Sequence, residues 1–199
     1  MSTANLLYTD TENALRDSVR RLFADRCPLD SVLKAYDTDT DFAAVWKTLA
    51  AELGLAGLLV PESLGGAGAS TREAAVVMEE IGRAVAPVPF LSSAVLATVA
   101  LLKTGETQTL RSLADGSTTG ALAIPLSTPP GAFSATVRID ASSLTGRVTS
   151  VAGASVAGCA RRGRWRTRRP RVAHGFTRGG RRDGDPGSGV GHDQTDCRR

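Results

Sequence analysis

Four short stretches of this 199-residue chain carry residue types that could do chemistry. Gly65-Gly66-Ala67-Gly68 stands just before a helical pattern, where backbone N–H groups and a helix N-terminus could cradle a phosphate. A Walker A loop, however, needs Lys-Ser/Thr after its last glycine, and Ala69-Ser70 follows here. A dinucleotide fingerprint needs a third glycine where Thr71 stands, with strand-helix-strand alternation around it. The glycines therefore read as a flexible connection that lets two helices pack at an angle. Glu79 and Glu80 are paired carboxylates, but adjacent helix positions do not face each other and cannot share a proton. A solvated face is the expectation for both. Cys27 lies beside Pro28, and an activated thiol would want a base nearby. The first 160 residues contain no histidine to serve as one.

The fourth stretch is RRGRWRTRRPR, Arg161 to Arg171, with seven arginines around Trp165. A basic arm with an interleaved aromatic can neutralise phosphates and stack on bases. The whole-chain charge of +4 hides a split, since 161–199 carries +8 and 1–160 carries −4. That segment has twelve arginines and no lysine. Arginine, glycine, proline and alanine are what GC-rich codons spell out of frame. A frameshifted segment is favoured over a nucleic-acid-binding arm, and a nucleic-acid partner is not expected. Cys27, Cys159 and Cys197 form no CxxC pair, which argues for a reducing cytosol and against a metal site in the body. No signal peptide is read at the amino terminus. The longest apolar run, Phe90 to Leu102, is too short to span a bilayer.

The elements that must position these residues are mainly helices. Thr9 and Glu12 have capping-box spacing, followed by Leu15, Val19, Leu22 and Phe23 on one face up to Pro28. A short helix is expected over Ser31–Tyr36. Asp41 is placed as the cap of a third helix, with Trp46 and Leu49 on its apolar face and Gly54 as a left-handed stop. Ser70 and Glu73 repeat the capping box, and Ala74, Val77, Met78, Ile81 and Val85 form the stripe behind it. A nearly all-apolar helix over Leu91–Lys103 ends at Gly105 and is expected to be surrounded. A sixth helix reaches Ala114. GALAIPL (120–126), ATVRID and SLTGRVTSV then read as strands, and no period survives after about Ala157. The expected fold class is α+β, with a helical domain over 1–117, an incomplete β domain over 118–157 and a disordered Arg/Gly-rich tail over 158–199. No internal repeat is found.

Two stretches in this frame match a known pattern. WxxLAxELGLAGLLVPExxGGAG runs from Trp46 to Gly68, and EAAVVMEEIGR from Glu73 to Arg83. Together they resemble the amino-terminal helical domain of the acyl-CoA dehydrogenase family. APVPF, Ala86 to Phe90, resembles its actinobacterial branch, which degrades fatty-acyl and steroid side-chain thioesters. The resemblance covers roughly residues 5–157. It implies a helical domain, a β domain and a carboxy-terminal four-helix domain, with FAD-dependent α,β-dehydrogenation of an acyl-CoA. A carboxylate takes the α-proton and the flavin accepts the hydride. The family's Thr-Glu-Pro stretch falls near Ser127-Thr128-Pro129, with Thr128 in place of the glutamate. This leaves Ile124, Leu126 and Ser127 as the positions expected to touch FAD. No residue matches the catalytic glutamate, which comes from the last domain. The resemblance therefore implies a truncated chain, inactive alone. As an alternative it implies a non-catalytic partner subunit, in a homo- or hetero-oligomer with a full-length dehydrogenase. The Leu91 helix is implied as one wall of the acyl pocket.

Overall fold

The computed structural model describes residues 7–35, 37, 42–129, 131–132, 137–140, 143–154, 159–164 and 171–176. The first helix, α1 (Asp10–Arg26), begins at a full capping box. The Glu12 N–H donates to Thr9 Oγ1 at 3.2 Å, and the Thr9 N–H donates to the Glu12 carboxylate at 2.6 Å. It stops at Cys27, and Pro28 then opens α2 (Leu29–Lys34). That helix starts two residues earlier than expected, because a proline with φ −63° is already preset for a helix start. Tyr36 lies outside the described residues. So does Asp41, and the residue capping α3 (Ala43–Lys47) is Phe42, with no side-chain cap bond. The chain continues through a π-helical turn, Thr48–Glu52, to Gly54, which takes the expected left-handed conformation at φ +68°.

The glycine-rich connection is tied by its own backbone hydrogen bonds. After two 3-10 turns, Leu55–Gly57 and Glu62–Leu64, it folds back on itself. The N–H groups of Ala67, Gly68 and Ala69 donate to the carbonyls of Gly57, Val60 and Leu58 at 3.0, 2.8 and 2.9 Å. Gly66 permits this approach, since a Cβ there would lie 2.1 Å from the Val60 carbonyl oxygen. The next helix, α4 (Thr71–Ala84), starts at the Ser70/Glu73 capping box and buries Ala74, Val76, Val77 and Ile81. Val85 does not close this stripe. It caps the helix in the left-handed region at φ +49° and is half exposed, because Pro87 two residues on ends the run.

Residues Phe90–Ala97 form a π-helical segment that continues as α5 (Thr98–Thr104). Gly105 at φ +71° ends it, and α6 (Thr107–Ala114) follows. The apolar helix is not surrounded. Phe90, Ala94, Ala97 and Leu101 are buried, while Leu91 and Val99 are 40% and 38% exposed. One core packs α1, α3, α4 and Phe90. A second joins Val60, Ala97, Leu101, Leu110 and Leu113.

Strand β1 (Gly120–Leu122) is shorter than the apolar run it comes from, and β2 (Val137–Asp140) pairs antiparallel with β3 (Ser143–Gly146). Two further strands fall within 158–199, where no regular structure was expected. They are β4 (Cys159–Arg164), parallel to β1, and β5 (Arg171–Phe176), antiparallel to β4. Composition argues against burying a core, but strand pairing asks only for backbone groups and an open edge, which β1 supplies. The fold class is mainly helical with few strands.

Candidate functional site

The helical body meets the sheet along one seam. The Gly120 N–H donates to Ser93 Oγ at 2.9 Å. A Cβ on Gly120 would stand 2.8 Å from Ala97 Cβ, and one on Gly153 would stand 2.2 Å from Ser92 Oγ. Small residues on both sides thus let β1 and the turn around Gly153 lie directly on the π-helical segment. The wider turn also lets Thr98 Oγ1 donate to the Ser93 carbonyl, five residues back, at 3.0 Å.

Ile124, Leu126 and Ser127 follow β1 around one turn. The Ile124 N–H donates to the Leu122 carbonyl at 2.7 Å and the Thr128 N–H to the Pro125 carbonyl at 3.0 Å, while Pro125 bridges to Val151. Ile124 is half-buried, Leu126 is 64% exposed and Ser127 is exposed. The structure brings the three together as two apolar side chains and one hydroxyl. That set could touch one edge of a flavin ring.

The carboxylates behave differently from the sequence expectation. Glu80 is 2% exposed and sits between α1 and α4. Arg20 donates to it twice, from Nε at 3.0 Å and Nη2 at 2.7 Å. Arg83 donates from Nε at 3.2 Å, and Arg16 Nε lies 3.6 Å away. Glu79 stays at the surface and pairs with Arg16 at 2.7 Å. Only one of the adjacent pair therefore faces solvent, as two neighbouring positions on a helix should. Glu12 is also buried and takes Arg72 Nε at 2.7 Å, while Arg72 Nη2 donates to the Leu7 carbonyl at 3.0 Å. The pairs 12–72, 16–79 and 20–80 show that α1 and α4 run side by side in the same direction. The Arg72 hydrogen bond, with the Thr9 N–H, holds Glu12 down at about 2. The Arg20 hydrogen bond holds Glu80 below its ordinary value against the opposing effect of burial. Carboxylates held in this way stay charged and tie helices together. They are not poised to take a proton near neutral pH.

The remaining candidates are placed as follows. In the glycine loop the N–H groups of Gly65, Gly66, Ala67, Gly68 and Ala69 all donate within the loop, so none is left to receive a phosphate. Cys27 is 4% exposed, and burial pushes its thiol up. Trp46 lies in the core, and its Nε1 is the one buried side-chain polar atom without a partner among the described residues. Among the described residues no three His, Cys, Asp or Glu gather as metal ligands. The Glu12 and Glu80 pairs were missed because their partners stand about sixty residues away. The one local hint was Glu12's capping-box position.

The sequence model of the family described as "Acyl-CoA dehydrogenase, N-terminal domain" matches residues 9–116, more than half of the chain. The chain belongs to the acyl-CoA dehydrogenase family. Over 113 residues it is 39% identical to acyl-CoA dehydrogenase IpdE2 of Mycobacterium tuberculosis, covering 55% of this chain and 35% of that protein. It is 35% identical to IpdE2 of Mycolicibacterium smegmatis over 113 residues, covering 56% of this chain and 36% of that one. The chain thus spans about a third of the length of the curated dehydrogenases it matches. Its fold is similar to a chain of the ChsE4–ChsE5 complex from Mycobacterium tuberculosis. The TM-score is 0.70 at 22% identity, over 87% of this chain and 49% of that one. Among the described residues no helix is long and apolar enough to cross a membrane.

Proposed function

We propose that this chain contributes the helical unit of an FAD-dependent acyl-CoA dehydrogenase and oxidises no acyl-CoA alone. Working with a second dehydrogenase subunit, it would serve α,β-dehydrogenation of a fatty-acyl or steroid side-chain thioester. The family match over 9–116 carries this reading. Two features support it. The seam at Ser93 and Gly120 ends in a turn where Ile124, Leu126 and Ser127 could meet one edge of a flavin. Beside it, Leu91 and Val99 leave an apolar flank of the fifth helical stretch open, in keeping with one wall of an acyl pocket. The proposed domains are the helical unit over 1–117, a partial β unit over 118–157 and the arginine-rich segment over 158–199. A heteromeric assembly is favoured because a structural neighbour comes from a two-component complex, ChsE4–ChsE5. The proposed setting is the reducing cytosol, in keeping with Cys27 as a buried free thiol.

The test is the visible absorption of purified 1–199 after incubation with FAD and desalting, followed by an acyl-CoA oxidation assay. No retained flavin and no oxidation by the chain alone, with retention once a full-length dehydrogenase subunit is added, is the expected result. Flavin retention and turnover by the chain alone would sink the proposal of an incomplete site.

A further inference from the structure

We infer that the open cavity where the π-helical turn Thr48–Glu52, the glycine-rich connection and the end of α6 meet is a binding site for an alkylammonium group, a protonated primary amine on an aliphatic stem. The inference does not rest on the dehydrogenase reading.

The cavity measures about 410 Å3. Apart from Asp115, every residue lining it is glycine or alanine, with Ala50, Ala51, Ala67 and Ala114 among them. None reaches further than a methyl group, so no side chain fills the space. The walls cannot close on it either, because they already touch one another elsewhere. A Cβ on Gly57 would stand 2.9 Å from the Ala114 carbonyl oxygen, and one on Gly116 would stand 2.9 Å from Ala50 Cβ. Those two approaches fix the end of α6 against the π-helical turn. The Gly66 and Ala67 N–H groups, donating to the Pro61 and Gly57 carbonyls at 3.2 and 3.0 Å, fix the third wall.

The chemistry of the lining says what would fill it. Besides the donors of the third wall, the Asp115 N–H is spent on the Arg111 carbonyl at 3.1 Å. Acceptors are left over. The carbonyls of Ala50 and Ala51 end a helical run and receive no donor among the described residues. Asp115 accepts the Ser117 N–H through Oδ1 at 2.8 Å, and its Oδ2 has no partner among the described residues. No basic residue lines the cavity, and none of the described ion pairs uses Asp115, although Arg111 stands one turn back on α6. A carboxylate at the negative end of a helix, beside unused carbonyls, favours a cation over an anion. A single carboxylate is a poor cage for a divalent metal, which asks for several oxygen ligands. An ammonium has three donors and no acceptor, which matches a lining of acceptors, and the alanine methyls suit its methylene stem.

The test follows the backbone amides of the isotope-labelled full chain by NMR during titration with pentylamine hydrochloride. The amides of Ala51, Ala67 and Asp115 are expected to move together and saturate, while pentanoate and pentanol leave them in place. Asp115→Asn keeps the acceptor for the Ser117 N–H and should weaken binding about fivefold, as the loss of an exposed ion pair allows. Ala67→Leu, at an exposed position, puts a side chain into the cavity and should abolish saturation, with unchanged amide shifts in α1 and α4 showing that the variant folds. Cadaverine and N-acetyl-lysine methylamide then separate the sources. Tighter saturation by the first assigns the site to a free diamine, and by the second to a lysine side chain. No saturable shift at these amides would overturn the inference, as would an equal response to pentanoate or pentanol, or an affinity indifferent to both substitutions.

Discussion

Replacing Glu80 with glutamine changes the charge at the α1–α4 junction while keeping its shape. Three guanidiniums would then surround an amide with one accepting oxygen, where the carboxylate now takes Arg20 at 2.7 and 3.0 Å and Arg83 at 3.2 Å. Losing one partner of a fully buried ion pair costs about 3–5 kcal/mol. Here the carboxylate is buried, but the Arg20 and Arg83 side chains are 42% and 62% exposed and can rehydrate. The cost falls accordingly to about 2 kcal/mol. With a urea slope of about 1.5 kcal/mol/M, the unfolding midpoint of 1–199 should drop by roughly 1.3 M. Glu79→Gln, at a side chain 55% exposed, should cost no more than about 0.5 kcal/mol and lose even that at high salt. The pH dependence has a definite sign. The folded-state pKa of Glu80 is lowered from 4.5, so its contribution is full above pH 4.5 and lost as pH falls through the folded value. The gap between the native chain and Glu80→Gln should be widest near neutrality and narrow in acid. Equal midpoints at pH 7, or a gap that persists unchanged in strong acid, would refute the assignment of this charge to the folded core.

Glu12 should titrate in the folded chain near pH 2, with its contribution to stability lost progressively between pH 4.5 and about 2. An NMR midpoint near 4.5 would contradict its pairing with Arg72. Gly66→Ala should cost about 3 kcal/mol or unfold the loop, because the new methyl would meet Val60 and Gly57 backbone within 2.5 Å. Gly54→Ala has open space and only an unfavourable φ, so about 1 kcal/mol is expected, and similar melting temperatures for the two variants would refute the steric account. Ser93→Ala removes the acceptor for the buried Gly120 N–H. It should cost about 1–3 kcal/mol and raise hydrogen exchange at that amide, while unchanged protection there would show that Ser93 does not hold the seam. A chain cut after residue 117 should melt below one cut after 126, since Ala121 and Ala123 are buried on the helical body. Equal melting would place the boundary of the helical unit at 117.

The helices were legible where local chemistry fixes them. Thr9–Glu12 and Ser70–Glu73 each carry a start signal within four residues, and Gly54 and Gly105 supply stops that need no tertiary partner. Legibility failed where the deciding partner is distant. Nothing within α4 distinguishes Glu80 from Glu79, and burial of the first follows from Arg16 and Arg20 on α1. The glycine run read as slack because its conformational freedom is visible in sequence. The close approach that uses that freedom, Gly66 against Val60, is visible only once the loop has folded back. Of the site, Ile124, Leu126 and Ser127 were positioned by resemblance rather than by any local signal, and their turn has no capping or period to mark it.

The distribution of closed and open faces bears on where any chemistry could reside. Along α1 and α4 the buried acids are matched to guanidiniums, the thiol is inert and the glycine N–H groups are all engaged. That side can hold shape but cannot move a proton at neutral pH. The opposite side is unfinished in a specific way. The helical stretch from Phe90 to Thr104 closes one flank with Phe90, Ala94, Ala97 and Leu101 and leaves Leu91 and Val99 open, while the next strand lies against its small residues. An apolar flank next to a seam of serines and glycines suits a surface that other elements complete, because small residues permit close backbone approach and impose no chemistry of their own.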